Sequence, residues 1–409
     1  MSAGTFAASS GGDGAVRYAR QVGDVLETVR AAAEDGTRLR VAGRGTWLDA
    51  GWPVQSQRTL ALAGLTGVVD YVPGDFTLTA RAGTTLREIA ALAAREGQWL
   101  ALDPFGSPDG TLGATVATAS AGPLAHAFGT PRDNVLGMEV VTGTAQVVRA
   151  GGRVVKNVAG FDLTRLFTGS WGTLGAITEI TVRMRAEPEV SETYALALDE
   201  RPDALAAFLR ALREAPLVPY ALELMNGKLA ERLALAPTAC LLARLGGNAD
   251  AVRAQRATLA KLGAVTAAPA GVWSTLRACE PAGAAVMRFG RRPSQLAALW
   301  NEVRQLATPA EAALMHATVG RGLVRCVVPP GDDDVLERLT ARDASLGGSR
   351  MVERVPAHLW HRMAQSLRVP AEGETTRPAA GRWRLMRGVK DAYDPAHVLN
   401  PGIMGEAIA

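Results

Sequence analysis

The stretch LRVAGRGTWLDAGWPV, residues 39–54, excludes two common nucleotide folds at once. An apolar run, Leu39 to Ala42, leads into Gly43-Arg44-Gly45-Thr46. A dinucleotide-binding turn of the G-x-G-x-x-G kind must open directly into a helix. Here Leu48 occupies the third glycine position, and Gly51-Trp52-Pro53 forbids a helix where one should run. A Walker phosphate loop needs Gly-Lys-Ser/Thr, and this stretch contains no lysine. What remains is a strand ending in a tight turn whose backbone N–H groups can face an anion.

The surrounding pattern fits an α+β chain of two domains, which 409 residues can supply with separate cores. Apolar spacing at Val22, Val25, Leu26, Val29 and Ala33 predicts a helix over 22–36 that stops at Gly36. Residues 67–83 read as two short strands joined by Pro73-Gly74, and TTLREIAALAAREG as a helix capped by Thr84 or Thr85. Residues 134–157 read as three strands between glycine turns. A proline-bearing acidic break near 186–189 marks the domain boundary, giving 1–188, 189–380 and a closing segment 381–409. Helices over 202–214, 249–262 and 294–307 alternate with strands at 239–245, 284–290, 313–319 and 323–329, predicting an antiparallel sheet covered by helices. Residues 373–383 read as an exposed loop, and the chain closes with a helix and an extended, proline-punctuated tail.

Composition narrows the function classes. A net charge of +4, with lysine only at 156, 228, 261 and 390 and no basic block interleaved with aromatics, argues against nucleic-acid binding. Cys240, Cys279 and Cys326 lie far apart without C-x-x-C, which predicts buried thiols, a reducing compartment and no metal or iron–sulfur site. The first residues, MSAGTFAASSGGDG, show no export signal, and no apolar run reaches the length of a membrane span. A cytoplasmic protein is expected.

Small residues are the most informative feature of the first half. Three turns at 43–46, 106–114 and 169–175 are dominated by residues with little or no side chain. Such turns let backbone amides approach a ligand closely and suit a large flat cofactor with a pyrophosphate; the same turns also serve as plain tight hairpins.

The segments RVAGRGTW, SPDGTLGATVATASAG, GGRVVKNVAGFDLTRLFTGSWGTLGAIT and KDAYDPAHVLNPG resemble, in this order, those of FAD-linked oxidases of the vanillyl-alcohol oxidase type. Within that superfamily the resemblance is strongest to the FAD-binding E subunit of bacterial glycolate oxidase, dense in the first half and clear in the tail. It implies a PCMH-type FAD-binding domain with an α+β cap. It also implies cofactor contacts from Gly43, Arg44, Gly45, Thr46 and Trp47, from Gly110, Thr111, Gly113, Ala114, Thr118 and Ser120, from Gly172, Thr173, Gly175 and Ile177, and from Asn157 and Asn400. Lys156 and Asn157 match the family's Lys-Asn pair near the cofactor, the plain alternative being Asn157 in a turn and Lys156 capping a strand at the surface; Lys156 and Arg387 are weak catalytic candidates.

Departures from the family pattern matter too. Relatives that hold FAD covalently use a histidine in the first loop; Thr46 and Trp47 stand here, so non-covalent FAD is expected. His126 is a weak catalytic candidate and more naturally a structural residue. Related hydroxy-acid dehydrogenases carry His-x-Gly-Asp-Gly-Asn-x-His in the second domain, where TVGRGLVR (318–325) stands in this chain. Thr318, Arg321, Leu323 and Arg325 offer no base there, and His316, off the motif's spacing, reads as a packed or surface residue. Arg387 and Lys390 are either anion-attracting cations or solvated helix charges, the second reading favoured for Lys390.

The resemblance implies an FAD-dependent 2-hydroxy-acid oxidoreductase subunit oxidising glycolate, with D-lactate as a second substrate. Its partners would be a catalytic flavin subunit and an iron–sulfur subunit, with peripheral contact to the inner membrane through them. A stand-alone FAD dehydrogenase and a non-catalytic architectural subunit are the alternatives.

Overall fold

The apolar spacing of residues 22–36 produces the helix Val22–Asp35, which buries Val25, Val29 and Ala32 and ends at Gly36 with φ of 72°. Glycine suits that position because a left-handed backbone costs it nothing. The next long helix, Leu86–Ala93, starts in a reciprocal cap. Thr85 Oγ1 accepts from the Glu88 N–H at 3.1 Å, and the Glu88 carboxylate accepts from the Thr85 N–H at 2.8 Å.

The computed structural model describes residues 15–152, 162–308, 312–341, 349–356, 359–360 and 377–404. The chain divides into two compact units. One comprises Met1–Ala121, Thr130–Glu187 and Arg368–Ala409; the other comprises Gly122–Gly129 and Pro188–Leu367. The segment Gly122–Gly129, which the sequence reading left inside the first domain, therefore belongs with the second unit.

In the first unit a three-stranded parallel sheet runs in the order Val16–Tyr18, Arg58–Ala61, Leu39–Ala42. A five-stranded antiparallel sheet follows the order Val68–Val72, Thr77–Arg81, Gly175–Arg183, Val135–Thr142, Val147–Gly151. Gly175–Arg183 sits at its centre and is buried along most of its length. Leu78, Ile180 and Val182 form the core beside it with Phe167. The third strand expected near 153–157 lies outside the described residues.

The second unit carries one eight-stranded sheet, antiparallel at every pairing. Its order is Val265–Ala267, Val190–Ala197, Cys240–Gly247, Ala221–Met225, Leu314–Thr318, Leu323–Val328, Ala285–Gly290, Ser349–Arg354. Helices Pro202–Glu214 and Leu296–Ala307 bury Leu205, Leu209, Leu212, Leu299, Trp300 and Val303. Apolar residues three and four apart give each helix one stripe to bury, and the α+β layer follows.

Two expectations are corrected. The small-residue stretch contains a helix, Leu112–Thr118, started by Thr111, whose Oγ1 accepts from the Ala114 N–H at 3.2 Å. Residues from Arg377 onward form the helix Arg377–Tyr393, where an exposed loop through 383 was expected. Pro378 falls in its first turn, where the missing N–H costs no helical bond. No helix among the described residues is long and apolar enough to cross a membrane.

Candidate functional site

The three glycine-bearing segments meet in the first unit. Residues 40–48, the face Thr111, Gly113, Ala114, Ala117 and Thr118, and the wall Trp171, Gly172, Gly175 and Ile177 line one cleft, joined by Asn400 and Ile403. The cleft holds about 810 Å3 of space, part of it open to solvent. A smaller hollow shares Thr46, Trp47, Thr111, Ala114 and Thr118 with it and adds Gly110 and Ser120.

Close approach explains the glycines. A Cβ on Gly43 would stand 2.5 Å from Thr111 Oγ1, an oxygen already fixed as the helix cap. A Cβ on Gly172 would stand 2.7 Å from the Asn400 side-chain nitrogen, and Gly172 has φ of 68°. Only residues without bulk let these segments touch.

The turn after Leu39–Ala42 carries the polar feature of the cleft. The N–H groups of Gly43, Arg44, Gly45, Thr46 and Trp47 donate to no acceptor among the described residues. Backbone donors that the fold leaves unpaired need water or a ligand. Two cations, Arg40 and Arg44, line the same end. Arg40 was not singled out from sequence. Its guanidinium donates to the Leu48 carbonyl, and burial lowers its pKa against the opposing effect of Asp49. Its only sequence signal is a cation one residue before the inward Val41-Ala42 pair. Trp171, also missed, stacks near Trp47 with ring centroids 6.2 Å apart and an interplanar angle of 20°.

These residues fit an FAD. Free amides and arginines suit a diphosphate, and a floor of Ala114, Ala117, Gly172 and Gly175 suits a flat ring system.

The other candidates are placed as follows. Asn400 lines the cleft but engages its amide within the chain: Oδ1 accepts from the Val41 N–H at 2.7 Å, and Nδ2 donates to the Trp171 carbonyl at 2.7 Å. Thr173 does not line the cleft; it is buried and its Oγ1 donates to the Ser170 carbonyl at 2.7 Å. Lys156 and Asn157 lie outside the described residues. Arg387 is exposed on its helix and absent from the cleft lining. Lys390 corrects its expectation of a solvated charge: it is 2% exposed and paired with Asp394 at 2.6 Å. The apolar helix spacing around it gave no hint of a buried ammonium.

His126 belongs to the second unit and its ring accepts from the Gly320 N–H at 3.3 Å. Burial lowers its pKa; Glu223 opposes this and Arg321 adds to it. A Cβ on Gly320 would stand 2.5 Å from that ring, so the histidine packs as a structural residue.

The stretch 318–325 forms a tight turn, with Gly322 at φ of 62°, between two sheet strands. Arg325 is buried between Glu353, at 2.7 Å, and Glu280. Burial alone would lower its pKa, but Glu353 and Glu280 hold it above the ordinary value. It cannot accept a proton. His316 is packed, 4% exposed, with Nδ1 2.7 Å from Glu223 Oε2. The three cysteines are buried free thiols, and burial pushes Cys240 and Cys279 up to about 11 and Cys326 to about 12.

Comparison with known proteins agrees with this architecture. Residues 14–151 match a family model described as an FAD binding domain, and residues 376–404 match the C-terminal domain of FAD linked oxidases. Glycolate oxidase subunit GlcE of Escherichia coli (strain K12) is 41% identical over 169 residues, covering 41% of this chain and 48% of that one. Glycolate oxidase subunit GlcD of Bacillus subtilis (strain 168) is 30% identical over 213 residues, covering 52% and 45%. The chain thus spans about half the length of these curated relatives. Among solved structures, p-cresol methylhydroxylase with substrate bound superposes with a TM-score of 0.73 at 16% identity, covering 95% of this chain and 88% of that one. At that identity the likeness is one of fold.

Proposed function

We propose that this chain, which matches FAD-linked oxidase models over residues 14–151 and 376–404, is the FAD-binding subunit of a multi-subunit enzyme that oxidises a small 2-hydroxy acid, glycolate first and D-lactate second. The observation that carries the reading is that the amides from Gly43 to Trp47 have no partner among the described residues and that residues 43–47 line a cleft with many small residues. FAD would supply the acceptor for the two electrons removed from the hydroxy acid. The chain's part is binding and field. Amides 43–47 and Arg44 would hold the diphosphate, and the stacked Trp47 and Trp171 would line the cleft beside it. No histidine stands in the first loop, which supports a non-covalent cofactor.

The absence of a base at 318–325 supports a shared site of reaction, in which a second flavin subunit supplies the proton acceptor and an iron–sulfur subunit carries the electrons away. Such a complex would work in the cytoplasm and reach the inner membrane only through its partners.

The test uses the purified chain. We expect flavin absorbance, release of all the flavin by acid precipitation, and bleaching by anaerobic glycolate once the partner subunits are added. A colourless chain that fails to bind added FAD contradicts the cofactor reading. A flavin that glycolate and D-lactate leave oxidised in the complete complex contradicts the substrate reading.

A further inference from the structure

Resting on the reading of the cleft as the FAD site, we propose that Lys390 is a positioning residue for it: the ammonium, paired with Asp394, fastens the cleft wall at Trp171–Gly175 to the closing segment 394–400. An ammonium has three N–H groups, and Lys390 meets three acceptors: the Asp394 carboxylate at 2.6 Å, the Thr173 carbonyl at 2.8 Å and the Leu399 carbonyl at 3.1 Å. Two of these belong to backbone segments far apart in sequence. One side chain therefore fixes the distance between them.

Asp394 completes the fastening. It is fully buried and accepts from the Val398 and Leu399 N–H groups at 3.2 and 2.9 Å. The space beside it is so filled that a Cβ on Gly143 would stand 2.3 Å from its oxygen. From there the chain reaches the cleft directly. The Leu39 N–H donates to the Val398 carbonyl at 2.7 Å, the Asn400 N–H donates to the Leu39 carbonyl at 2.9 Å, and the Asn400 side chain bridges Val41 and Trp171. The strand that carries the Gly43 turn and the wall that carries Gly172 thus share one anchor.

Backbone conformation agrees. Trp171 and Asn400 hold left-handed φ values of 55° and 43°, unfavourable for residues with side chains. Such strain persists only where the surroundings over-determine it, and it concentrates at ligand clamps. Burial pulls the Lys390 ammonium below the ordinary lysine value, and Asp394 opposes the shift. An apolar pair would fill the same space without that desolvation. The ion pair is placed where aiming two carbonyls matters more than bulk.

The experiment compares the full chain with Lys390→Met and with the double variant Lys390→Met/Asp394→Asn, reading FAD affinity of the apoprotein, visible circular dichroism of the bound flavin, and the thermal midpoint of the apoprotein. The double variant removes both buried charges, so its midpoint returns close to that of the unmodified chain. Its FAD affinity stays weaker by about ten-fold or more, and its flavin dichroism differs. A double variant with unmodified affinity and dichroism overturns the proposal. Hydrogen exchange on the unmodified chain covers the case in which the variants do not fold. FAD should raise protection at 171–175 and 394–400 together, and a rise confined to 171–175 overturns the proposal. A chain that binds FAD but is not reduced by glycolate sinks the substrate reading and leaves this test intact; a chain that binds no FAD sinks both.

Discussion

The cleft turn of the first unit and the sheet of the second handle polar groups in opposite ways. At the cleft the backbone N–H groups of residues 43–47 have no partner among the described residues, and several small residues line the same space. The second unit threads charges through its sheet and pairs them: Arg325 with Glu353 and Glu280, Arg288 with Glu353 at 3.1 Å, and Arg354 with Glu280 at 3.4 Å. A paired buried charge is costly to break, and a backbone donor without a partner is available to a ligand. The contrast locates the binding function in the first unit.

The comparison can be broken most forcefully in the second unit. Arg325→Met removes the cation that Glu353 and Glu280 share and leaves each with one partner, Arg288 or Arg354, so denaturant unfolding should show a loss of up to about 3–5 kcal/mol. FAD affinity in the folded fraction should stay within about two-fold. A large affinity loss there would erase the distinction between the units.

Gly43→Ala makes the opposite disturbance. The new methyl meets Thr111 Oγ1 at 2.5 Å, and that oxygen cannot swing away without uncapping Leu112–Thr118. Affinity for FAD should fall by about ten- to a hundred-fold, roughly 1.4–2.7 kcal/mol, in a fluorescence titration. Thr85→Ala serves as the control within the same unit. It removes a helix cap that is not part of the cleft lining, so thermal unfolding should show a loss of about 1 kcal/mol with FAD affinity unchanged.

The smallest effect concerns pH. His126 has a folded pKa below its ordinary value, chiefly through burial. As pH falls through the ordinary histidine range, the unfolded chain takes up the proton first, so stability declines on acidification. His126→Asn should flatten that part of the stability–pH curve; an unchanged slope would show that another group sets it.

How much of this was legible in the sequence depended on how local each feature is. The turns at Gly43, Gly110 and Gly172 are legible because glycine admits backbone conformations and close approaches that other residues do not. Their meeting followed from family resemblance and not from spacing. The strand Ala221–Met225 escaped notice because it is buried along its whole length, and a strand covered on both faces shows no alternation. Its pairing of Leu224 with Ala317 spans more chain than local pattern can reach. Lys390 was misjudged for the same reason. Its acceptor on Thr173 lies 217 residues away in the chain, and helix periodicity only says that a lysine among polar neighbours is exposed. Helix Leu112–Thr118 was hidden by Gly, Ala and Thr, which read equally as turn, until Thr111 is recognised as its cap.

The central claim is that unpaired main-chain donors at the end of Leu39–Ala42 receive the dinucleotide. An experimental structure of the chain with FAD bound tests it most directly. The account predicts diphosphate oxygens within hydrogen-bond distance of N–H groups between Gly43 and Trp47. A diphosphate held elsewhere, with those amides bonded only to water, would contradict it.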